Sequence, residues 1–251
     1  MNKTVLTTIL ALLATTTALS GSISFNLGTG TYDNSDVVFS ASSAITATNT
    51  NNYFFRETRA AMQTFVVTDA IEVAAMSTIV RRAVENATFT LSLIDFGTNP
   101  VANFYTPAEV AAAALLGTSN ITITAALAFG QASGGIDATL DPYTTMTWAL
   151  PASVSLVPGR TYAFILDGTS ASPGNIVMQF GLGNPYAGGL AYRQEESVSP
   201  NFRSGNDYFG GGNNQQADWG LALVAVPEPS TYALLLGLAT LGLVLYRRRA
   251  A

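Results

Sequence analysis

The sequence contains no cysteine and no histidine, and charge of either sign is scarce. Without cysteine, the fold cannot depend on disulfide bonds. Without both residues, the chain cannot build a Ser-His-Asp or Cys-His nucleophile, or a zinc site with imidazole or thiolate ligands. Only the chemistry of carboxylates, tyrosine, hydroxyls or oxygen-ligated metals remains.

Basic residues are few and are concentrated at the two ends. Charged residues make up 11% of the 251 residues, and the net charge is −5. Lys3 lies near one end and Arg247, Arg248 and Arg249 near the other, which leaves seven arginines and no lysine between them. A nucleic-acid groove needs clustered cations to neutralise phosphates. The composition therefore predicts no nucleic-acid binding, and nothing in the sequence demands a cofactor or metal.

Residues 1–20 have the pattern of a secretory signal peptide. Lys3 precedes an apolar run from Val5 to Ala14, which is shorter than the roughly 20 residues that a membrane-spanning helix needs. Ala18 and Ser20 place small side chains where a signal peptidase requires them. We expect a signal helix, export by the secretion machinery and cleavage by signal peptidase between Ser20 and Gly21.

The other end has three consecutive parts. Val226-Pro227-Glu228-Pro229-Ser230 comes first, and its two prolines favour an extended backbone. No charge follows from Thr231 to Tyr246, which predicts a transmembrane helix over 231–246. Arg247–Arg249 come next, and cations beside a span favour the cytoplasmic side. The main domain should therefore lie outside the membrane.

These three parts, over Val226 to Arg249, resemble the PEP-CTERM sorting signal. The resemblance implies recognition by an exosortase, a membrane-embedded transpeptidase. It also implies cleavage near Pro227-Glu228-Pro229 and transfer to the cell surface or matrix. An ordinary membrane anchor that is never cut is the alternative.

Residues 21–225 predict one extracytoplasmic β-domain, with short alternating segments separated by Gly, Asn and Pro turns. In the segment after Ala87, Phe89, Leu91 and Leu93 share one face. The predicted strands are Gln63–Val67, Ile71–Val80, Ala87–Ile94, Asn120–Leu127, Thr144–Leu150, Thr161–Asp167, Ile176–Gly181 and Trp219–Val224. This spacing indicates an all-β fold, an antiparallel β-sandwich of the jelly-roll type.

One short helix interrupts the strands. Thr106 can cap it, Pro107 suits its first position and Glu109 completes a capping box. We expect this helix to continue to Leu116 and to stop at Gly117. Val157-Pro158-Gly159-Arg160 predicts a turn.

The segments 155–164 and 185–192 are similar to bacterial surface modules called choice-of-anchor domains. The similarity covers roughly 61–224 and implies a β-sandwich. Such modules have no settled activity, so the resemblance concerns the fold.

Three clusters are candidate sites. Tyr186, Tyr192, Tyr208 and Trp219 can stack on sugar rings if they are exposed, or else form core. Glu195 and Glu196 can supply the two carboxylates of a glycosidase, although loop acids are more often solvated. Asp33 and Asp36 offer oxygen ligands to calcium but do not match an EF-hand loop.

Together these features predict a non-enzymatic exported protein of the cell surface or extracellular matrix, associated with exopolysaccharide or biofilm. The alternatives are a carbohydrate-binding module and a carboxylate-dependent glycoside hydrolase.

Overall fold

A computed structural model describes residues 22–27, 37–40, 50–55, 59–131, 140–168, 176–182, 188–195, 199–204, 217–219, 221–226 and 240. In chain order, its elements are β1 (Ile23–Asn26), β2 (Val37–Ser40), β3 (Thr50–Phe55), β4 (Arg59–Val66), β5 (Ile71–Ala83), β6 (Thr88–Asp95), β7 (Phe104–Tyr105), α1 (Pro107–Ala112), β8 (Ala114–Thr122), β9 (Thr144–Leu156), β10 (Thr161–Gly168), β11 (Ile176–Leu182), β12 (Ala191–Glu195), β13 (Ser199–Ser204), β14 (Ala217–Trp219) and β15 (Leu221–Ala225). Every strand pairing among these elements is antiparallel.

The strands form two sheets. In sheet 1, β5 is central: β9 pairs with one of its edges, and β11 and β15 pair with different stretches of the other. Sheet 2 has the order β7-β13-β12-β4-β10-β6-β8. The chain repeatedly passes from one sheet to the other, for example between β4 and β5, between β5 and β6 and between β9 and β10. The predicted antiparallel β-sandwich is confirmed.

The main core lies between the two sheets. The predicted alternation in β6 is confirmed, since Phe89, Leu91 and Leu93 are each at most 1% exposed. Trp148, predicted as core, is fully buried. The larger members of this core include Phe65, Met76, Phe89, Leu91, Trp148, Tyr162, Phe164 and Trp219.

The outer face of sheet 2 carries a second core. Ala163 and Ile165 of β10 point to this face, away from the first core, and both are buried. The segment 96–113, with β7 and α1, lies over them and contributes Phe96 and Tyr105. The middle of sheet 2, at β4 and β10, is therefore buried on both faces, which explains why β10 reads as a continuous apolar run rather than an alternating one.

The helix begins as predicted but ends early. Thr106 accepts a hydrogen bond from the Glu109 backbone N–H, and the Glu109 side chain accepts one from the Thr106 N–H, which confirms the capping box. The predicted continuation to Leu116 is wrong, because Ala113 is already extended. β8 begins at Ala114 and pairs along β6, so sheet hydrogen bonds override the local helical preference.

This early end also corrects the next predicted strand. β8 spans Ala114–Thr122 instead of Asn120–Leu127, and a turn occupies 125–127. Gly117, predicted to stop the helix, pairs with Leu93 inside the sheet.

Among the described residues, three glycines outside the strands, Gly97, Gly130 and Gly159, adopt left-handed backbone conformations, and their surroundings differ. Gly159 has φ +79° in the predicted turn, and a Cβ added there would meet nothing within 4 Å. Gly130 has φ +82°, and its added Cβ would lie 2.6 Å from Asp141 Oδ1 and 3.3 Å from the Arg82 Cα. Only Gly130 is therefore both conformationally and sterically restricted.

Alanine at Gly130 should destabilise the protein more than alanine at Gly159. Both substitutions place a side chain in the left-handed region, at a cost of about 1–2 kcal/mol. Gly130→Ala adds overpacking against Asp141, worth about 1–3 kcal/mol more. Urea unfolding of both full-length variants measures the difference. Equal free energies of unfolding would contradict the close approach at Gly130.

Candidate functional site

The C-terminal strand joins the folded domain directly to the sequence predicted as a sorting motif. In β15, Leu221, Ala222 and Leu223 are fully buried, and the strand pairs with β5 as far as Ala225. The Val226 N–H then donates to the Glu72 carbonyl at 2.8 Å. The next residue is a proline, which has no N–H to continue such pairing. The folded sheet therefore reaches the first residue of the Val-Pro-Glu-Pro-Ser segment.

The residues of that segment beyond Val226 lie outside the described part of the chain. These are Pro227, Glu228, Pro229 and Ser230, together with the orienting residues Arg247, Arg248 and Arg249. Within the described residues, no helix combines the length and apolar character needed to cross a membrane.

The predicted signal peptidase site, Ala18, Ser20 and Gly21, also lies outside the described residues. Sheet 1 extends back to Ser22, whose carbonyl accepts a hydrogen bond from the Ala149 N–H at 2.9 Å. Cleavage between Ser20 and Gly21 would therefore leave β1 and its pairing with β9 intact.

A pocket lies at the edge of the second core, between α1, the segment after β6 and the start of β10. Its volume is about 610 Å³. Phe96 and Tyr105 form an apolar floor, with their rings stacked at a centroid distance of 4.3 Å. Asn99, Glu109 and Arg160 supply polar groups around it. The site combines an apolar base with a few placed polar side chains, which is typical of small-molecule sites.

Asp95 and Arg160 form an ion pair in the wall of this pocket. The Arg160 Nε and Nη2 atoms both lie 2.7 Å from Asp95 Oδ2. The Gly97 N–H donates to the other carboxylate oxygen at 2.7 Å. The hydrogen bond that Arg160 donates to Asp95, followed by the negative charge of Asp95, raises the pKa of Arg160, which stays a cation. Asp95 is thus engaged in holding Arg160 and the turn at Gly97.

Glu109 lines the same pocket from helix α1. Its Oε2 accepts hydrogen bonds from the Thr106 backbone N–H and hydroxyl, both at 2.7 Å. These bonds, the backbone one first, lower the pKa of the Glu109 carboxyl. Burial raises the pKa of Tyr105 on the pocket floor. At neutral pH the wall therefore holds the Glu109 carboxylate and the Arg160 guanidinium.

The lowered pKa of Glu109 predicts a pH-dependent cap on helix α1. A carboxyl with a depressed folded pKa stabilises the cap fully above the ordinary value of 4.5, and this stabilisation is lost as pH falls through the folded pKa. An NMR titration of the Glu109 carboxyl should give a midpoint below 4.5. Thr106→Val removes the hydroxyl donor but keeps the N–H, so the midpoint should return only partly. A wild-type midpoint at or above 4.5 would refute the cap.

The pocket lies at the same end of the sandwich as the exit of the C-terminal strand. In sheet 1, Ile71 pairs with Leu156. The neighbouring Glu72 carbonyl accepts the hydrogen bond from the Val226 N–H. In sheet 2, Val66 pairs with Thr161. The four residues 67–70 connect Val66 to Ile71, and the four residues 157–160 connect Leu156 to Thr161.

These short connections require the joined strand ends to lie at one end of the sandwich, since packed sheets are about 10 Å apart. Arg160 belongs to the second connection, and Asp95 pairs with Tyr162 next to it. The pocket wall and Val226 therefore share this end of the domain, which we call the exit end.

Of the predicted glycan-stacking residues, the two that the structure describes, Tyr192 and Trp219, are not exposed. Tyr192 is fully buried and its hydroxyl donates to the Ala102 carbonyl. Trp219 is 1% exposed, and its indole N–H donates to the Tyr192 carbonyl at 3.0 Å. A sugar ring cannot stack on either side chain, so the core interpretation is correct for both. Tyr186 and Tyr208 lie outside the described residues.

Of the two carboxylates proposed for hydrolysis, only Glu195 lies within the described residues. Glu195 lies 2.6 Å from the Arg59 guanidinium, partly buried at the edge of β12. Glu196, Asp33 and Asp36 lie outside. Among the described residues, no three carboxylates are grouped so that they could hold a metal ion.

Sequence reasoning missed the pocket. The turn containing Arg160 was predicted, but its partner Asp95 is 65 residues away in the chain. Only the Thr106–Glu109 capping box gave a local signal at this place, and it indicated helix structure rather than a binding site.

Comparison with known families identifies the C-terminal segment. The model of the PEP-CTERM protein-sorting motif matches residues 225–249. No curated protein is similar enough to the chain to match it. The motif marks an exported protein that is processed by an exosortase, a membrane enzyme. The predicted sorting signal is confirmed, whereas the resemblance to choice-of-anchor modules stays a prediction.

Proposed function

Because the chain carries a PEP-CTERM protein-sorting motif, we propose that it is a non-enzymatic protein of the cell surface or extracellular matrix. An exosortase cuts it near Pro227-Glu228-Pro229, and the released sandwich associates with exopolysaccharide. The observation that carries this proposal is the junction at Val226. There the paired strand ends and the sorting motif begins, without an intervening linker.

The position of the junction supports the proposal that the tail is removed by cleavage. β15 occupies its place beside β5 and buries Leu221, Ala222 and Leu223, which supports a domain boundary at Val226. Cutting the tail away after Val226 would therefore leave every described strand in place.

The chemistry of the pocket supports a binding role over hydrolysis. A glycosidase needs one carboxyl as acid and a second as base or nucleophile. Asp95 is held by Arg160 and the Gly97 N–H. Glu109 is held as a helix cap with a lowered pKa, the opposite of what a general acid needs.

Replacing the Pro-Glu-Pro segment by alanines tests the sorting step. The variant P227A/E228A/P229A should be exported but retained in the inner membrane of the native host, at a larger mass than the surface form of the wild type. Pro158→Ala changes a proline in an exposed turn of the domain and should be sorted normally. Release of the triple variant at the wild-type rate and mass would overturn the proposal.

A further inference from the structure

We propose that the pocket at the exit end binds a neutral saccharide unit. The inference rests on the proposed function only for the extracytoplasmic location of the domain. It concerns a site remote from the aromatic residues first considered, because Tyr192 and Trp219 belong to the core.

The size and base of the pocket suit a small rigid ligand. A volume of about 610 Å³ lies within the usual range of small-molecule sites, roughly 300–1,000 Å³. Phe96 and Tyr105 are 7% and 4% exposed, and Tyr105 also packs edge-on against Tyr192. The floor is therefore fixed by the second core and requires little ordering when a ligand enters.

The polar groups offer donors and acceptors together. Within the described part of the chain, the Asn99 side-chain amide has no hydrogen-bond partner, and only Oε2 of Glu109 is engaged. Arg160 has five N–H donors, and its side chain is 38% exposed beside Asp95. One amide, one carboxylate oxygen and a guanidinium form a mixed set that matches vicinal hydroxyls, each of which can donate and accept.

The charges in the pocket wall determine which hydroxylated ligands can bind. The ion pair between Asp95 and Arg160 is internally compensated, and Glu109 adds one uncompensated negative charge. An acidic sugar would place a second carboxylate near Glu109 and be repelled. The ligand class is therefore a neutral sugar rather than a uronic acid or a phosphate.

Helix α1 provides a matched pair of variants. Ala112 lines the pocket, whereas its neighbour Ala111 does not, and both are exposed on a helix with no buried residue. Ala112→Trp should fill the mouth of the pocket without removing any hydrogen bond. Ala111→Trp makes the same change on the same helix and should leave the pocket open.

The experiment is calorimetric titration of full-length protein in detergent with maltotriose, cellotriose, chitotriose and an oligogalacturonate. We expect at least one neutral trisaccharide to bind, and the acidic oligosaccharide to bind at least tenfold more weakly. Ala112→Trp should lower the affinity for the neutral trisaccharide at least tenfold, while Ala111→Trp should change this affinity less than twofold. Asn99→Ala should weaken it three- to tenfold, and Asn201→Ala, outside the pocket, should not.

Two results would overturn the inference. One is the absence of binding for all three neutral probes, and the other is equal binding by the Ala112→Trp and Ala111→Trp variants. Tighter binding of the oligogalacturonate would reject the neutral class. None of these results depends on the Pro-Glu-Pro segment, so the sorting experiment can succeed where this one fails, and the reverse.

Discussion

A chain that stops at Trp219 should fail to fold, whereas a chain that stops at Val226 should fold like the full-length protein. The two differ by only seven residues, but these contain the whole of β15. Leu221 and Leu223 are fully buried against β5 and the main core. Burial of two leucine side chains contributes about 3–6 kcal/mol, and the lost pairing adds to this. A typical domain has a net stability of only about 5–15 kcal/mol.

Circular dichroism and urea unfolding of the two fragments, both starting at Gly21, check this expectation. The fragment 21–226 should show a cooperative transition and a β-sheet spectrum. The fragment 21–219 should show neither at the same temperature. A cooperative transition in the shorter fragment would mean that β15 is dispensable, and it would remove the structural basis for placing the domain boundary at Val226.

The second large effect is expected at a buried ion pair outside the main core. Arg82 donates from Nε and Nη2 to the two carboxylate oxygens of Asp141, at 3.1 and 2.9 Å. Both side chains are at most 1% exposed. The Gln131 N–H also donates to Asp141, at 2.8 Å, so the carboxylate joins Gln131 to Arg82 of β5.

Removing one partner of this pair leaves the other charge buried. We expect Asp141→Ala and Arg82→Met each to lower the free energy of unfolding by about 3–5 kcal/mol. The double variant should lose less than the sum, because no unpaired charge remains. Urea unfolding of the three variants measures this coupling.

Arg59 and Glu195 form the control pair. They lie 2.6 Å apart but keep 23% and 13% of their side chains exposed. Glu195→Gln should lower the free energy of unfolding by about 1 kcal/mol or less, because ion pairs in contact with solvent contribute little to stability. A cost at Asp141 no larger than the cost at Glu195 would contradict the account of a buried clamp.

Local sequence signals predicted the elements whose causes are local. The alternation of Phe89, Leu91 and Leu93 predicted the core face of β6, because a strand with one polar face repeats every two residues. The capping box at Thr106 and Glu109 predicted the start of the helix because its cause is also local: the two partners are three residues apart.

The features that sequence reasoning missed depend on distant parts of the chain. The helix ends at Ala112 because β8 pairs with β6, and no residue near Gly117 signals that pairing. Arg82 and Asp141 are 59 residues apart, and neither carries a recognisable motif. The pocket also depends on such contacts, since the segment 96–113 must fold back over sheet 2 to form it.

The burial of Trp219 also depends on a distant part of the chain. The sequence around Trp219 is compatible with a sugar platform and with core, because its short strand fits both. Its backbone N–H donates to Gln63 Oε1 at 2.8 Å, and Gln63 is fully buried in sheet 2. That contact between the two sheets, 156 residues apart in the chain, decides the orientation of the side chain.

The position of β15 has a consequence for export. The sandwich cannot be completed until Leu221–Ala225 has crossed the membrane, and the sorting motif follows at once. We expect the exosortase to act on a chain whose last strand is already paired up to Val226, and cleavage should therefore fall after Val226 rather than within β15.

The measurement that tests the central claim most directly is the C-terminal sequence of the protein on the surface of its native host. Tandem mass spectrometry of the surface fraction should find a C-terminus between Val226 and Ser230, and no peptide from residues 231–251. The same fraction should be depleted when the host exosortase is inactivated, with the uncut chain accumulating in the inner membrane. Surface protein that retains Arg247–Arg249, or an unchanged C-terminus without the exosortase, would contradict the account.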